Sequence, residues 1–177
     1  MSELGIIKIN QHSLVFNNEL FHEAFNECDE CLNELIQRRI KPIIVIHAPT
    51  QGAYYRTVAS PTALTSQTKM IAHWVARLTT AGLTCAQLMI ERPYGNHKYG
   101  IAQTLKTIQA LAALSVIPIV THNELTWMSG RASAPQQDTA DSLAELLNAP
   151  VIEPLLTSIC EDPKPHLATI TAAACPQ

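Results

Sequence analysis

Glycine is scarce in this chain, with six residues in 177 against eleven prolines. A loop that cradles phosphate exposes several neighbouring backbone N–H groups, which usually takes more than one glycine. Neither G-x-x-x-x-G-K-[ST] nor G-x-G-x-x-G occurs, which argues against P-loop and dinucleotide-binding loops. No G-x-S-x-G elbow is present, so acyl transfer from a nucleophile elbow has no support. Aromatic residues make up only 5%, and Trp74 and Trp127 read as packing residues rather than stacking platforms. Charged residues are also few, at 15% with a net charge of -3 and a pI of about 6.1. No basic cluster offers a footprint for nucleic acid. A charged fraction this low favours deep burial or an interface between copies. No apolar run approaches the length of a membrane span. The opening residues, MSELGIIKIN, lack the positive start and apolar core of a secretory leader, so a cytoplasmic address without membrane contact is expected.

The five cysteines, Cys28, Cys31, Cys85, Cys160 and Cys175, are an odd number without a leader, which predicts reduced thiols. Cys28 and Cys31 form a C-x-x-C inside a continuous helical pattern. A redox pair wants its first thiol at a helix N-terminus, and a zinc site wants a second ligand pair; neither is found.

What the chain does have is rhythm. A β-branched first strand, Leu4 to Asn10, precedes a helix of about Asn18 to Arg38, where Leu20, Phe21, Ala24, Phe25, Cys28, Cys31, Leu32, Leu35 and Ile36 recur at helical steps. Pro42 opens a second strand, Ile43 to Ile46, unbroken as in strands buried on both faces. Ser60-Pro61 starts a helix that Gly82 stops. A third strand (Thr84 to Ile90), a helix (about Ile101 to Leu114) and a fourth strand (Ile117 to Val120) follow. Asp138 caps a helix ending near Asn148, with Asp141 at its N3 position, and Pro150 precedes a fifth strand, Val151 to Leu156. Strands alternating with helices predict one α/β domain over residues 1–177, a three-layer αβα sandwich around a mainly parallel sheet, with 157–177 an unassigned tail.

In such sheets ligands bind outside the carboxyl ends of the strands. His12, His47 and His122 each follow a strand, and three imidazoles at one edge are a candidate metal set, with Asp138, Asp141 or Glu124 to complete the shell. The alternative is that they face water or cap helices. Lys8 interrupts an apolar strand, where a charge is costly unless paired or used. It reads either as the neutraliser of an anionic ligand or as an edge-strand lysine that discourages pairing. Thr50 and Gln51, after the second strand, have donors for an anion.

The order of elements resembles the amino acid kinase superfamily, and the central stretch looks most like glutamate 5-kinase. That family opens on V-x-K-[IL]-G-[TS]-S, where this chain has Ile6-Ile7-Lys8-Ile9-Asn10-Gln11-His12. Its V-T-S-G-A becomes Val45-Ile46-His47-Ala48-Pro49. The segments SQTKMIAHWVARLTTAGLTCAQLMIER and TLKTIQALAALSVIPIV follow the family pattern closely. Where the family has N-E-N-D, which helps hold glutamate, this chain has Thr121-His122-Asn123-Glu124, and Asp141 aligns with the second aspartate of G-D-N-D-x-L-[SA]-A. EPLLTS and DPKP echo later family motifs, so the likeness covers most of residues 4 to 165.

The resemblance implies a truncated amino acid kinase-like fold whose phosphate loops have lost their glycines and whose nucleotide half has no counterpart. Phosphoryl transfer depends on positioned charge around the phosphate oxygens, so ATP and Mg²⁺ are not expected as cofactors. Lys8 is the one candidate catalytic group. The expected function is non-catalytic: a binding, regulatory or assembly module for a small anionic metabolite. Its ligand-binding residues would be Lys8, His12, His47, Thr50, His122, Asn123, Glu124 and Asp141. The alternatives are a repurposed enzyme using the strand-end histidines and acids, with or without a metal, or a phosphotransferase completed by a partner chain. The family's self-association and the low charge imply a homodimer, with the Ile101 to Leu114 helix as one candidate face, and a protein partner is a further expectation.

Overall fold

β-Branched residues write the sheet. β1 (Leu4–Asn10) and β4 (Lys41–His47) carry Ile6, Ile7 and Ile9 beside Ile43, Ile44, Val45 and Ile46, all inaccessible or nearly so. Branched side chains restrict χ1 and pack well on a pleated surface. The computed structural model describes residues 3–16, 19–47, 61–90, 98–122 and 139–154, with only the backbone described at 12, 16, 47, 61–64, 66, 98–101 and 122.

β1 leads into a short helix, α1 (Gln11–Leu14), and an antiparallel hairpin of β2 (Val15–Phe16) and β3 (Glu19–Leu20). Then come α2 (His22–Gln37), β4, α3 (Pro61–Thr80), β5 (Thr84–Ile90), α4 (Lys98–Ala113), β6 (Val116–His122), α5 (Thr139–Leu147) and β7 (Val151–Ile152). The main sheet has the order β5-β6-β4-β1-β7, and every pairing in it is parallel. The expected α/β class and mainly parallel sheet are therefore present.

Two apolar layers flank the sheet, because successive strand residues point to opposite faces. On one face, Ile7, Ile9, Ile44, Ile46 and Ile119 pack under Phe25, Leu32 and Leu35 of α2 and Met70, Trp74 and Leu78 of α3. On the other, Ile6, Ile43, Val45 and Val120 pack under Ile108 of α4 and Ala140 and Leu143 of α5. Lys41 Nζ donates to the Ala112 carbonyl at 2.6 Å, a cation at the C-terminal turn of α4.

Glycine poverty shows at the helix ends. Gly82, at φ 74°, closes α3 as anticipated, with Leu83 N–H donating to Leu78 O and Gly82 N–H to Thr79 O. α2 ends the same way on Arg39 (φ 61°), where Ile40 N–H reaches Leu35 O. Ser115 (φ 58°) and Asn148 (φ 49°) take the left-handed position after α4 and α5. Gly5 has a packing reason: a Cβ there would lie 2.9 Å from both Ile40 Cγ2 and Leu35 Cδ2.

The boundaries differ from expectation in particular places. The helix expected from Asn18 begins at His22, because Glu19 and Leu20 pair with Phe16 and Val15. Leu20 and Phe21 still pack on the core, from extended backbone, so helical spacing alone misplaces the start. The second strand begins at Lys41 and includes Pro42, the fourth helix begins at Lys98, and β6 extends through His122. β7 ends at Ile152 rather than continuing through 154, and the rest of the expected fifth strand, with the tail, lies outside the described residues.

Candidate functional site

The strand order creates a reversal. The helices after β1 and β4 (α2 and α3) cover one face, and those after β5 and β6 (α4 and α5) cover the other. β4 and β6 are neighbours, so between them the chain leaves in opposite directions. In open parallel sheets the ligand crevice forms at this kind of switch point, outside the carboxyl ends of the strands. The last residues of these two strands are His47 and His122.

Register puts the two histidines side by side. Ile44 pairs with Ile119 and Val45 with Val120, and the same register continued along both strands brings His47 opposite His122. Asn10 of β1 pairs with His47, and Ile90 of β5 with His122. The strand ends therefore form one row, Asn10, His47, His122, Ile90, with adjacent strands about 4.8 Å apart. His12 follows in α1.

Lys8 lies two rows in from these strand ends, opposite Val45. β1 is interior, flanked by β4 and β7, so Lys8 is no edge-strand lysine. Its Nζ lies 2.9 Å from Glu153 Oε1 and 3.4 Å from Asp141 Oδ2. Asp141 is in the first turn of α5, which packs over β1 and β4 from the face shared with Ile6. Glu153 immediately follows β7, whose Ile152 pairs with Ile7. Lys8 is only 21% exposed, whereas Asp141 and Glu153 are 56% and 64% exposed. One half-buried ammonium thus meets two solvated carboxylates, and the trio carries a net negative charge. An anion bound here must compete with Asp141, whose contact is the longer one.

Of the residues named from sequence, Lys8 and Asp141 meet directly, and the backbones of His47 and His122 meet by register. Thr50, Asn123, Glu124 and Asp138 lie outside the described residues, as do the side chains of His12, His47 and His122. Among the described residues, no group of three His, Cys, Asp or Glu is placed to hold a metal ion. Sequence reading missed Glu153 and Asn10. Both had a signal, since each is polar and directly ends or follows a β-branched run.

The C-x-x-C is in the body of α2. Burial, followed by the neighbouring Cys31, Asp29 and Glu27, pushes the Cys28 thiol up to about 12. Burial also raises Cys31, with Glu34 and Glu30 adding to it. Both therefore keep their protons at neutral pH, the reverse of what a redox or zinc-binding thiol needs. The seam between α2 and α3 is structural instead. Arg77 Nε donates to Asp29 Oδ2 at 3.0 Å, its Nη2 donates to Asn26 Oδ1 at 2.7 Å, and its guanidinium lies 5.9 Å from the Phe25 ring centre.

No family model and no curated protein matches this sequence, so the kinase resemblance rests on the quoted residues alone.

Proposed function

We propose that this chain is a non-catalytic, amino acid kinase-like binding module that takes a small anionic metabolite at the carboxyl edge of its sheet and self-associates. The observation that supports it most is the reversal between β4 and β6, where His47 and His122 end neighbouring strands beside Asn10 and above Lys8. Lys8 is the cation for the anion, held shallowly enough by exposed carboxylates to exchange one of them. Asp141 is more than half exposed and its contact is the longer of the two, so a ligand carboxylate or phosphate can replace it at small cost, about 1 kcal/mol. Catalysis has less support. Asn10-Gln11-His12 stands where the resemblance places a glycine loop, and Gln11 is already buried in α1. Calorimetric titration of the full chain with glutamate, inorganic phosphate and ATP with Mg²⁺ tests the reading. Saturable binding of glutamate or phosphate without ATP supports it; tight ATP binding defeats it.

A second reading has an observation of its own. Neighbouring histidines at a switch point suit a metal-dependent enzyme. Elemental analysis separates the two: a stoichiometric metal lost on His47→Ala favours the enzyme.

A further inference from the structure

Glu153 holds Lys8 more closely than Asp141 does, at 2.9 Å against 3.4 Å. The backbone around Glu153 is anchored on both sides. Val151 and Ile152 pair with Ile6 and Ile7, Ile6 N–H donates to the Pro150 carbonyl at 2.9 Å, and Pro154 is buried. A ligand that displaces Asp141 therefore finds Glu153 still beside Lys8. The charges around this pair are one-sided. The five strands of the sheet carry two lysines, and the second, Lys41, opens β4 opposite Leu4, at the other end of the strands, where it donates to Ala112. α5, TADSLAELL, brings Asp141 and, one turn on, the exposed Glu145, but no base.

We propose that Glu153 is the specificity-determining residue of the binding edge, restricting its ligand to a group with a single negative charge; this rests on the reading of that edge as an anion site. Exchanging Asp141 for a singly charged anion leaves the balance at Lys8 as it was. A doubly charged anion adds a second negative charge that no lysine or arginine at this end of β1, β4, α5 or β7 offsets. Repulsion from Glu153 scales with the product of the charges, so it doubles for the dianion, and a half-buried position screens it less than bulk water does. The ligand class is then a carboxylate or a singly charged phosphate. A phosphate monoester in its doubly charged form is turned away, and inorganic phosphate enters with its second proton kept.

Titration of the full chain with methanesulfonate and with sulfate tests this. Both are tetrahedral and keep their charge near neutral pH, but they differ by one unit of it. The wild type should bind methanesulfonate more tightly than sulfate. Glu153→Gln keeps the shape of the side chain and should tighten sulfate several-fold more than methanesulfonate, which narrows the gap. Glu30→Gln removes the same charge from an exposed position on α2, across the sheet, and should leave the ratio unchanged. Sulfate bound more tightly than methanesulfonate by the wild type overturns the proposal. So does a ratio that Glu153→Gln leaves alone, or one that Glu30→Gln moves equally. In those cases the anion still binds, so the edge itself stands as a site. Binding of neither anion, by wild type or by Glu153→Gln, removes both that site and this inference.

Discussion

Lys8 on the second strand from the sheet edge and Asp141 in the first turn of the last helix are 133 positions apart in sequence, and their side chains meet at 3.4 Å. α5 makes this contact because its connection runs from β6 back across β4 and β1 to β7. The same crossover sets the reversal beside His47 and His122. Ion pair and reversal have one topological origin.

Removing the Asp141 carboxylate should therefore take away one competitor for an anion at Lys8, which keeps its closer contact with Glu153. Asp141→Asn is expected to tighten inorganic phosphate binding several-fold and to change stability by about 1 kcal/mol or less, since the Asp141 carboxylate is more than half exposed. Lys8→Met should abolish phosphate binding while leaving the fold intact. Calorimetry and urea unfolding of the two variants check this together.

Helix ends offer gains of stability. Arg39 and Ser115 hold left-handed backbone that glycine adopts without a Cβ penalty. Arg39→Gly and Ser115→Gly are each expected to stabilise by about 0.5–1 kcal/mol, and Gly82→Ala to destabilise by about 1 kcal/mol. Urea midpoints measure all three. Gly5→Ala should cost about 1–3 kcal/mol through overpacking against Leu35 and Ile40.

The seam between α2 and α3 turns on Arg77. Its fork meets Asp29 through two nitrogens and Asn26 through one, in a partly buried position. Arg77→Ala should destabilise by about 1.5–3 kcal/mol, the range for hydrogen bonds to charged groups. Arg77→Lys should recover only part, because an ammonium lacks the planar fork.

Two groups at that seam set pH limits of opposite sign. Burial, then the charges of Arg77 and His22, lower His73 below its ordinary 6.5, with Asp29 opposing. Below that value the unfolded chain takes up a proton that the folded state refuses, so stability falls as pH drops. Cys28 keeps its proton up to about 12, whereas the unfolded thiol releases it above about 9.0, so stability also falls as pH rises between those values. His73→Phe, which preserves a ring against Phe25, should flatten the acid limb, and Cys28→Ala the alkaline one. Thermal midpoints across pH measure both slopes.

Local structure was readable from residues, and long-range placement was not. The β-branched runs at Ile6 to Ile9 and Ile43 to Ile46 announce buried strands, and Gly82 announces a helix end, because each acts through its own backbone. The β2–β3 hairpin was hidden because Leu20 and Phe21 stand at helical spacing from Ala24 and Phe25 while reaching the core from extended chain. Neither the insertion of β6 between β5 and β4 nor the partnership of Glu153 with Lys8 follows from periodicity; both depend on strand order. The three strand-end histidines were visible as a pattern, but only register shows that His47 and His122 are neighbours.

The central claim is that the carboxyl edge of the sheet is the binding site. Amide chemical shifts of the full chain, followed by NMR during titration with inorganic phosphate, test it most directly. Saturable shifts at Lys8, Asn10, His47 and His122, erased by Lys8→Met, are predicted. Strand ends that stay silent while other residues shift, or no shift anywhere, would contradict it.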